Sequence, residues 1–230
     1  MAPQAAAPVL TIDGPSGSGK GTICRAIALR ARWRLLDSGA LYRLVALGGM
    51  LASLGADDTD GHATLALSMQ AEFGSTDSGE ERILLAGRDV TAEVRSEEVG
   101  QGASRVAAWP AVRVALLERQ RRFAGPPGLV ADGRDMGTVI FPAADLKIFL
   151  TATAEERALR RHKQLKDKGS TVSLAALSRE IAERDLRDST RSVAPLKPAP
   201  DAVLVDSTGL SAQAVIERVE ALGRQRQLWR

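Results

Sequence analysis

Seven consecutive residues carry the most legible chemistry. Gly14-Pro15-Ser16-Gly17-Ser18-Gly19-Lys20 satisfies the spacing G-x-x-x-x-G-K. Glycines at that spacing let a loop turn several backbone N–H groups toward one anion, and a helix starting at the lysine adds the favourable end of its dipole. Lys20 then supplies a movable cation for the β- and γ-phosphates of a nucleotide. The whole stretch through Gly21 and Thr22 is read as binding ATP phosphates. One position departs from the usual pattern. The residue after the lysine is Gly21, with Thr22 following, so the hydroxyl that normally helps hold magnesium is missing there. The metal must be held differently, by Ser18, Thr22 or carboxylates through water. Asp132, closing the apolar run Leu129-Val130-Ala131, suits a magnesium–water contact; equally it can serve as a turn residue before Gly133. No direct protein ligand to a metal is assigned.

A second group of candidates lies near residue 180. Arg184, Arg187, Asp188 and Arg191 stand at i, i+3, i+4 and i+7, hence on one face of a helix. Three arginines on one stripe repel unless an anion or carboxylate sits among them. Glu180 and Glu183, each four residues before an arginine, offer ordinary partners, so spacing alone leaves an anion site and a solvated ion-pair stripe both open. Between them and the loop, Arg157 to Gly169 carries Arg160, Arg161, Lys163, Lys166 and Lys168. Such a segment suits a lid closing over polyphosphate, or a plain solvated helix. His62 and His162 lack metal-ligand neighbours and read as surface residues.

These side chains need elements to hold them. Val9-Leu10-Thr11-Ile12 reads as a buried strand stopping at Asp13-Gly14-Pro15, and helical spacing of Ile23, Ile27, Ala28 and Ala31 predicts a helix from Lys20 to Trp33. Leu129 to Ala131, Leu146 to Leu150 and Ala202 to Val205 read as further strands, with helices near 155–166, 174–188 and 212–222. Apolar strands without alternation, separated by helices, predict an α/β fold: a parallel sheet covered on both faces. Residues 57–100 behave differently, being acidic and broken. They are read as an insertion whose short strands at Glu72-Phe73 and Arg82 to Leu85 pair as a hairpin through a turn at Ser75 to Glu80. Pro195 to Pro200 is a stiff connector.

Composition bounds the rest. The chain has 230 residues, 44% hydrophobic and 26% charged, which suits a globular domain and excludes a disordered or collagenous one. One cysteine, Cys24, rules out an intrachain disulfide framework and a cysteine-built zinc site, and fits a reducing compartment. The longest charge-free apolar stretch, Leu44 to Ala56, has 13 residues, too few to span a bilayer, and the first ten residues lack the basic start of a signal peptide. Eight aromatic residues, 4 Phe, 3 Trp and 1 Tyr, are too few for a platform stacking several bases. A net charge of +3 tolerates small anions without requiring nucleic acid. The 31 basic residues comprise 25 Arg and 6 Lys, a skew that suits anion sites or reflects genome composition.

Four stretches carry a resemblance. Asp13 to Thr22 is similar to the phosphate loop of nucleoside monophosphate kinases, and Leu36-Asp37-Ser38-Gly39-Ala40-Leu41-Tyr42-Arg43, Ala131 to Thr138 and Glu183 to Asp188 resemble bacterial cytidylate kinases. The resemblance spans about residues 8–220. It implies a P-loop core (8–37 and 128–230) with a short lid at about 157–170, and an enlarged region binding the nucleoside monophosphate (38–127). It implies transfer of the γ-phosphoryl group of ATP to CMP or dCMP, assisted by Mg²⁺. The family's pattern matches Ser104, Arg113 and Asp135 to the cytosine, Arg43, Arg134 and Arg191 to the acceptor phosphate with Ser38 beside them, and Arg184 and Asp188 to the sugar. Lys20, Arg157 and Arg187 would act on the transferring group. Cytosine offers an amine where uracil offers a carbonyl, so an anionic Asp135 would discriminate between them. A cytoplasmic monomer with no nucleic-acid or membrane partner is expected. The rival readings are a P-loop kinase of another small acceptor, such as UMP, and a nucleotide-responsive nucleic-acid binder.

Overall fold

The computed structural model describes residues 7–76, 81–167, 169 and 171–229. The chain divides into two compact units, one comprising the residues up to Asp37 together with those from Arg121 onward, the other Ser38–Gln120. The second unit, Ser38–Gln120, lies within the region 38–127 set out from the sequence.

The first unit is built on a five-stranded parallel sheet. Its strands are β1 (Val9–Asp13), β2 (Arg34–Asp37), β6 (Leu129–Gly133), β7 (Leu146–Thr151) and β8 (Val203–Asp206), in the order β2-β6-β1-β7-β8. The register sets Asp13 beside Gly133, and Asp37 beside Asp132, at the carboxyl ends of neighbouring strands. Ligand-binding groups collect at such ends in open α/β sheets. β1 is central and buried along its length, as its unbroken apolar run requires. Helices α1 (Lys20–Ala31), α7 (Ala154–Asp167), α8 (Leu174–Thr190) and α9 (Ala212–Gln225) belong to this unit. Leu10, Ile12, Ile23, Ile27, Ile148 and Val215 are among the residues forming one continuous core between sheet, α1 and α9. Burying such side chains contributes about 1.5–3 kcal/mol each. At the far end Trp33 and Trp229 meet edge to face, 5.3 Å between centroids.

The second unit contains α2 (Ser38–Leu51), α3 (Thr59–Ser68), α4 (Thr91–Val94), α5 (Glu97–Val106) and α6 (from Pro110), with an antiparallel sheet of β3 (Ala71–Ser75), β4 (Glu81–Leu85) and β5 (Arg88–Asp89). The expected hairpin is present, Phe73 opposite Ile83, with β5 as a third strand. Most of its turn, residues 77–80, lies outside the described residues, as does Lys168. α2 packs on α5, α3 and α4. His62 is a correction: it is buried, not a surface residue. Its ring lies against Trp109 at 5.2 Å, its Nδ1 is 2.7 Å from the Asp58 carbonyl, and a side chain at Gly49 would collide with it. A histidine satisfied by one backbone oxygen and packed on an indole is a core residue.

Candidate active site

The loop from Gly14 to Gly19 joins β1 to α1. A Cβ on Gly14 (φ +149°) would land on the carbonyl oxygen of Leu150, so the chain can leave the sheet there only as glycine. Gly17 also has positive φ, 78°, and its α-carbon faces the Arg157 backbone. Lys20 opens α1 and folds back over the loop, its Nζ donating to the Pro15 carbonyl at 2.7 Å and lying 3.4 Å from Ser18 Oγ. Ser18 Oγ donates to the same carbonyl at 3.0 Å. Burial, with the Arg134 charge behind it, pulls the Lys20 ammonium from 10.5 to about 7. An anion here would reverse that penalty.

Three carboxylates surround the lysine end of the loop. Burial pushes Asp132 up to about 6 against the attraction of Lys20, and Asp37 next to it pushes the same way. Burial pushes Asp13 up to about 7, opposed by two backbone N–H groups. Asp37 and Asp132, side by side at the carboxyl ends of β2 and β6, make a pair of carboxylates that suits a divalent ion. No group of three or more His, Cys, Asp or Glu able to hold a metal by themselves occurs among the described residues. A pair of carboxylates suits a hard divalent cation that keeps several waters and takes its other oxygens from a ligand.

Arg157 occupies a place the sequence did not indicate. It is buried under the loop, with Nε donating to Ala152 O at 3.1 Å, Nη1 to Ser16 O at 3.1 Å and Nη2 to Asp185 at 2.6 Å. The expected lid residue at the head of the basic segment is therefore a clamp between the phosphate loop and α8. Arg160, one turn on, donates to Ser207 O at 2.6 Å and to Ser207 Oγ at 3.0 Å. Beside the loop Arg160 helps enclose a cavity of about 340 Å³, with Ser18, Thr22, Lys163 and Ser207 among its polar lining and Ile23 and Leu210 among its apolar lining. The volume suits a nucleoside. Ser207 and Leu210 were missed in the sequence, although a turn following the last parallel strand is where such residues fall.

The acceptor-side candidates divide between the units. In the first, Arg134 Nε donates to Asp188 at 3.0 Å, the Asp188 side chain being 5% exposed. Burial resists ionisation of both groups, yet each holds the other charged: Arg134 is raised and Asp188 lowered. The hydrogen-bonded carboxylate of Arg134 is thus 54 residues away in sequence, with neighbouring Asp132 adding a weaker attraction. Arg184 and Arg191 also lower Asp188, so the stripe does hold a carboxylate among its arginines. Arg191 is a further correction. It follows the last residue of α8 in a non-helical conformation (ψ 135°), so only Arg184, Arg187 and Asp188 share the helical face. Asp135 is buried and precedes a π-helical turn, Met136–Ile140. In the second unit, Ser38 begins α2, and Arg43 donates to Val94 O and Ser96 O, both at 2.9 Å. Arg113 is buried, donating to Ala107 O at 3.2 Å with its guanidinium 5.8 Å from the Tyr42 centroid. Ser104 Oγ is buried, with no hydrogen-bond partner among the described residues. A buried hydroxyl left so costs about 1–3 kcal/mol unless a ligand completes it.

A glycine loop ending in lysine, leaving the central strand of a parallel sheet beside a buried carboxylate, defines a P-loop nucleotide-binding enzyme of the α/β class. Comparison with known proteins narrows the class. The family model described as cytidylate kinase matches residues 10–225. A cytidylate kinase of Pseudomonas paraeruginosa is 57% identical over 217 residues, covering 94% of this chain and 95% of that protein. One from Pseudomonas fluorescens is 58% identical over 214 residues, covering 93% of each. Among solved structures, a gluconokinase from Sinorhizobium meliloti is similar with a TM-score of 0.48 and 17% identity, over 97% of this chain and 96% of that one. The chain belongs to the cytidylate kinase family. It is a nucleoside monophosphate kinase that phosphorylates CMP or dCMP at the expense of ATP, and the rival acceptor and nucleic-acid readings are not favoured. No helix among the described residues is long and apolar enough to cross a membrane.

Proposed function

We propose that the transfer is in-line and assisted by Mg²⁺, with the protein contributing alignment and charge, not covalent chemistry. The observation that carries this reading is Lys20: a buried ammonium, held at a depressed value over a loop of inward-turning backbone, is poised for the phosphates of ATP. Gly14 to Thr22 would hold those phosphates and Lys20 the β- and γ-oxygens. Asp132 would hold Mg²⁺ through water, and the ion, when bound, would neutralise charge developing on the phosphoryl oxygens. Arg187 would face the transferring group, and Arg157 would act from beneath by fixing the Ser16 carbonyl.

On the acceptor, Arg43, Arg134 and Arg191 would take the phosphate with Ser38, while Arg184 and Asp188 take the sugar. Asp135 and Ser104 would accept from the cytosine amine, and Arg113 would donate to its ring acceptors. Support comes from the burial of Asp135, Arg113 and Ser104 and from the unbonded Ser104 hydroxyl. Residues 38–127 would then be the region serving the nucleoside monophosphate. The enzyme would work as a cytoplasmic monomer without nucleic-acid or membrane partners. The test is ADP release across a panel of nucleoside monophosphates with ATP and Mg²⁺, for wild type and Asp135→Asn. CMP and dCMP should lead the panel, and the variant should lose the preference for CMP over UMP by roughly 10- to 100-fold. An unchanged ratio would refute the base assignment.

A further inference from the structure

Asp13 is the last residue of β1, adjoining the glycine that opens the phosphate loop. Its side chain is buried, and backbone amides take both carboxylate oxygens: Met136 N–H donates to Oδ1 and Gly137 N–H to Oδ2, each at 2.8 Å. Those amides open the π-helical turn, whose own hydrogen bonds begin only with Val139 and Ile140 donating to the Asp135 carbonyl, at 2.9 and 3.2 Å. Without Asp13 the first donors of the turn would be buried and unsatisfied. The two residues before the turn are Arg134 and Asp135. On its other side Asp13 is continuous with Gly14, which is seated on the Leu150 carbonyl. One carboxylate therefore ties the entry of the phosphate loop to the segment bearing two acceptor-side candidates, across 123 and 124 residues of sequence. Burial works against an acid here, pushing it up to about 7. Packing alone would be served by a neutral residue.

We infer that Asp13 is a positioning residue of this kinase: through the Met136 and Gly137 amides it fixes Arg134 and Asp135 in the arrangement that receives CMP. It touches no substrate. The inference rests on the reading of Arg134 and Asp135 given under the proposed function. It makes the phosphate loop and the acceptor-reading turn one mechanical piece.

The test is Asp13→Asn. The carboxamide keeps one acceptor oxygen and turns an NH₂ toward the second amide, so one hydrogen bond becomes a donor–donor opposition. The KM for CMP should rise roughly 10-fold or more, the CMP-over-UMP preference should fall by a similar factor, and the KM for ATP should stay within about twofold. Asp135→Asn is measured alongside. If Asp135→Asn shifts the preference and Asp13→Asn moves neither the preference nor the KM for CMP, the positioning role is overturned while the base site stands. If Asp135→Asn leaves the preference unchanged, the base site itself is overturned and the inference with it. Equal losses toward ATP and CMP would make Asp13 a general support of the fold and also overturn it. Hydrogen exchange on the wild-type enzyme tests the same link should Asp13→Asn fail to fold. The Met136 and Gly137 amides should exchange as slowly as core-strand amides; exchange at the rate of open loops would end the proposal.

Discussion

Replacing Lys20 with methionine should stabilise the free enzyme while disabling it. The ammonium sits 5% exposed, and its fall from 10.5 to about 7 corresponds to about 4 kcal/mol of folding free energy at pH 7, at about 1.4 kcal/mol per tenfold. Methionine removes that penalty at similar volume. Against it stand the bond to the Pro15 carbonyl and the contact with Ser18 Oγ, at about 1 kcal/mol each; the attraction of Asp132 is already contained in the depressed value. Pro15 O keeps its bond from Ser18 Oγ, so no acceptor is stranded. The net gain is about 2 kcal/mol, or a rise in Tm of about 4–8 °C for a chain of this size.

The same change should lower kcat/KM by roughly 10²- to 10³-fold, the usual loss when one preorganised charge contact to a transition state is removed. Thermal denaturation of the free protein, with coupled detection of ADP, reads both effects. A pH series adds a signature that only the lysine can give. Because its folded value lies below its unfolded one, the unfolded chain binds more protons between about pH 7 and 10.5. Wild-type stability should therefore gain from this group as pH rises through that window, and Lys20→Met should lack the gain. A variant that melts lower and has lost activity would show the lysine to be a structural strut; unchanged turnover would remove it from the phosphates.

Four further substitutions probe the surroundings. Arg134→Met takes from Asp188, 5% exposed, its hydrogen-bonded cation while Arg184 and Arg191 remain nearby, and should cost about 1.5–3 kcal/mol; adding Asp188→Asn should recover part of the lost Tm without restoring turnover. Arg157→Lys should cost about 2 kcal/mol and raise the KM for ATP more than that for CMP, because one ammonium cannot serve Ala152 O, Ser16 O and Asp185 together; steady-state kinetics and melting check both. With free wild-type enzyme, kcat/KM should fall as pH drops through about 6, where Asp132 protonates, and Asp132→Asn should flatten that limb and raise the Mg²⁺ concentration for half-maximal rate.

The sheet and its helices were readable because β1, β6 and β7 are apolar without alternation and α1 carries its buried residues at helical spacing. β2 was not, since Arg34-Leu35-Leu36-Asp37 is a four-residue edge strand with charged ends. α3 was hidden by Gly61 and weak amphipathicity, although Asp58, whose carboxylate accepts from Gly61 N–H, is an ordinary N-cap. The phosphate loop was fully legible because its chemistry is local. What failed to show was long-range pairing: Arg134 with Asp188, 54 residues on, and Asp13 with two backbone amides. Amide acceptors leave no trace in side-chain spacing, and the π-helical turn has no sequence period to announce it.

The excess of arginine over lysine takes on a physical sense at these contacts. Arg157 bridges two carbonyls and a carboxylate, Arg160 meets both oxygens of Ser207, and Arg43 meets two carbonyls at the junction of α4 and α5. Each task needs several donors fixed in a plane, which a guanidinium offers and an ammonium does not. Clustered cations repel one another, so an anion site needs acceptors that hold its arginines in place. Backbone carbonyls and partly buried carboxylates provide a resting place that holds the positive charge without neutralising all of it. Lys20 is the contrasting case. Its single ammonium rests on the Pro15 carbonyl, with Ser18 Oγ farther off, where burial opposes its charge, so the cation nearest the proposed chemistry is the one an arriving anion relieves most.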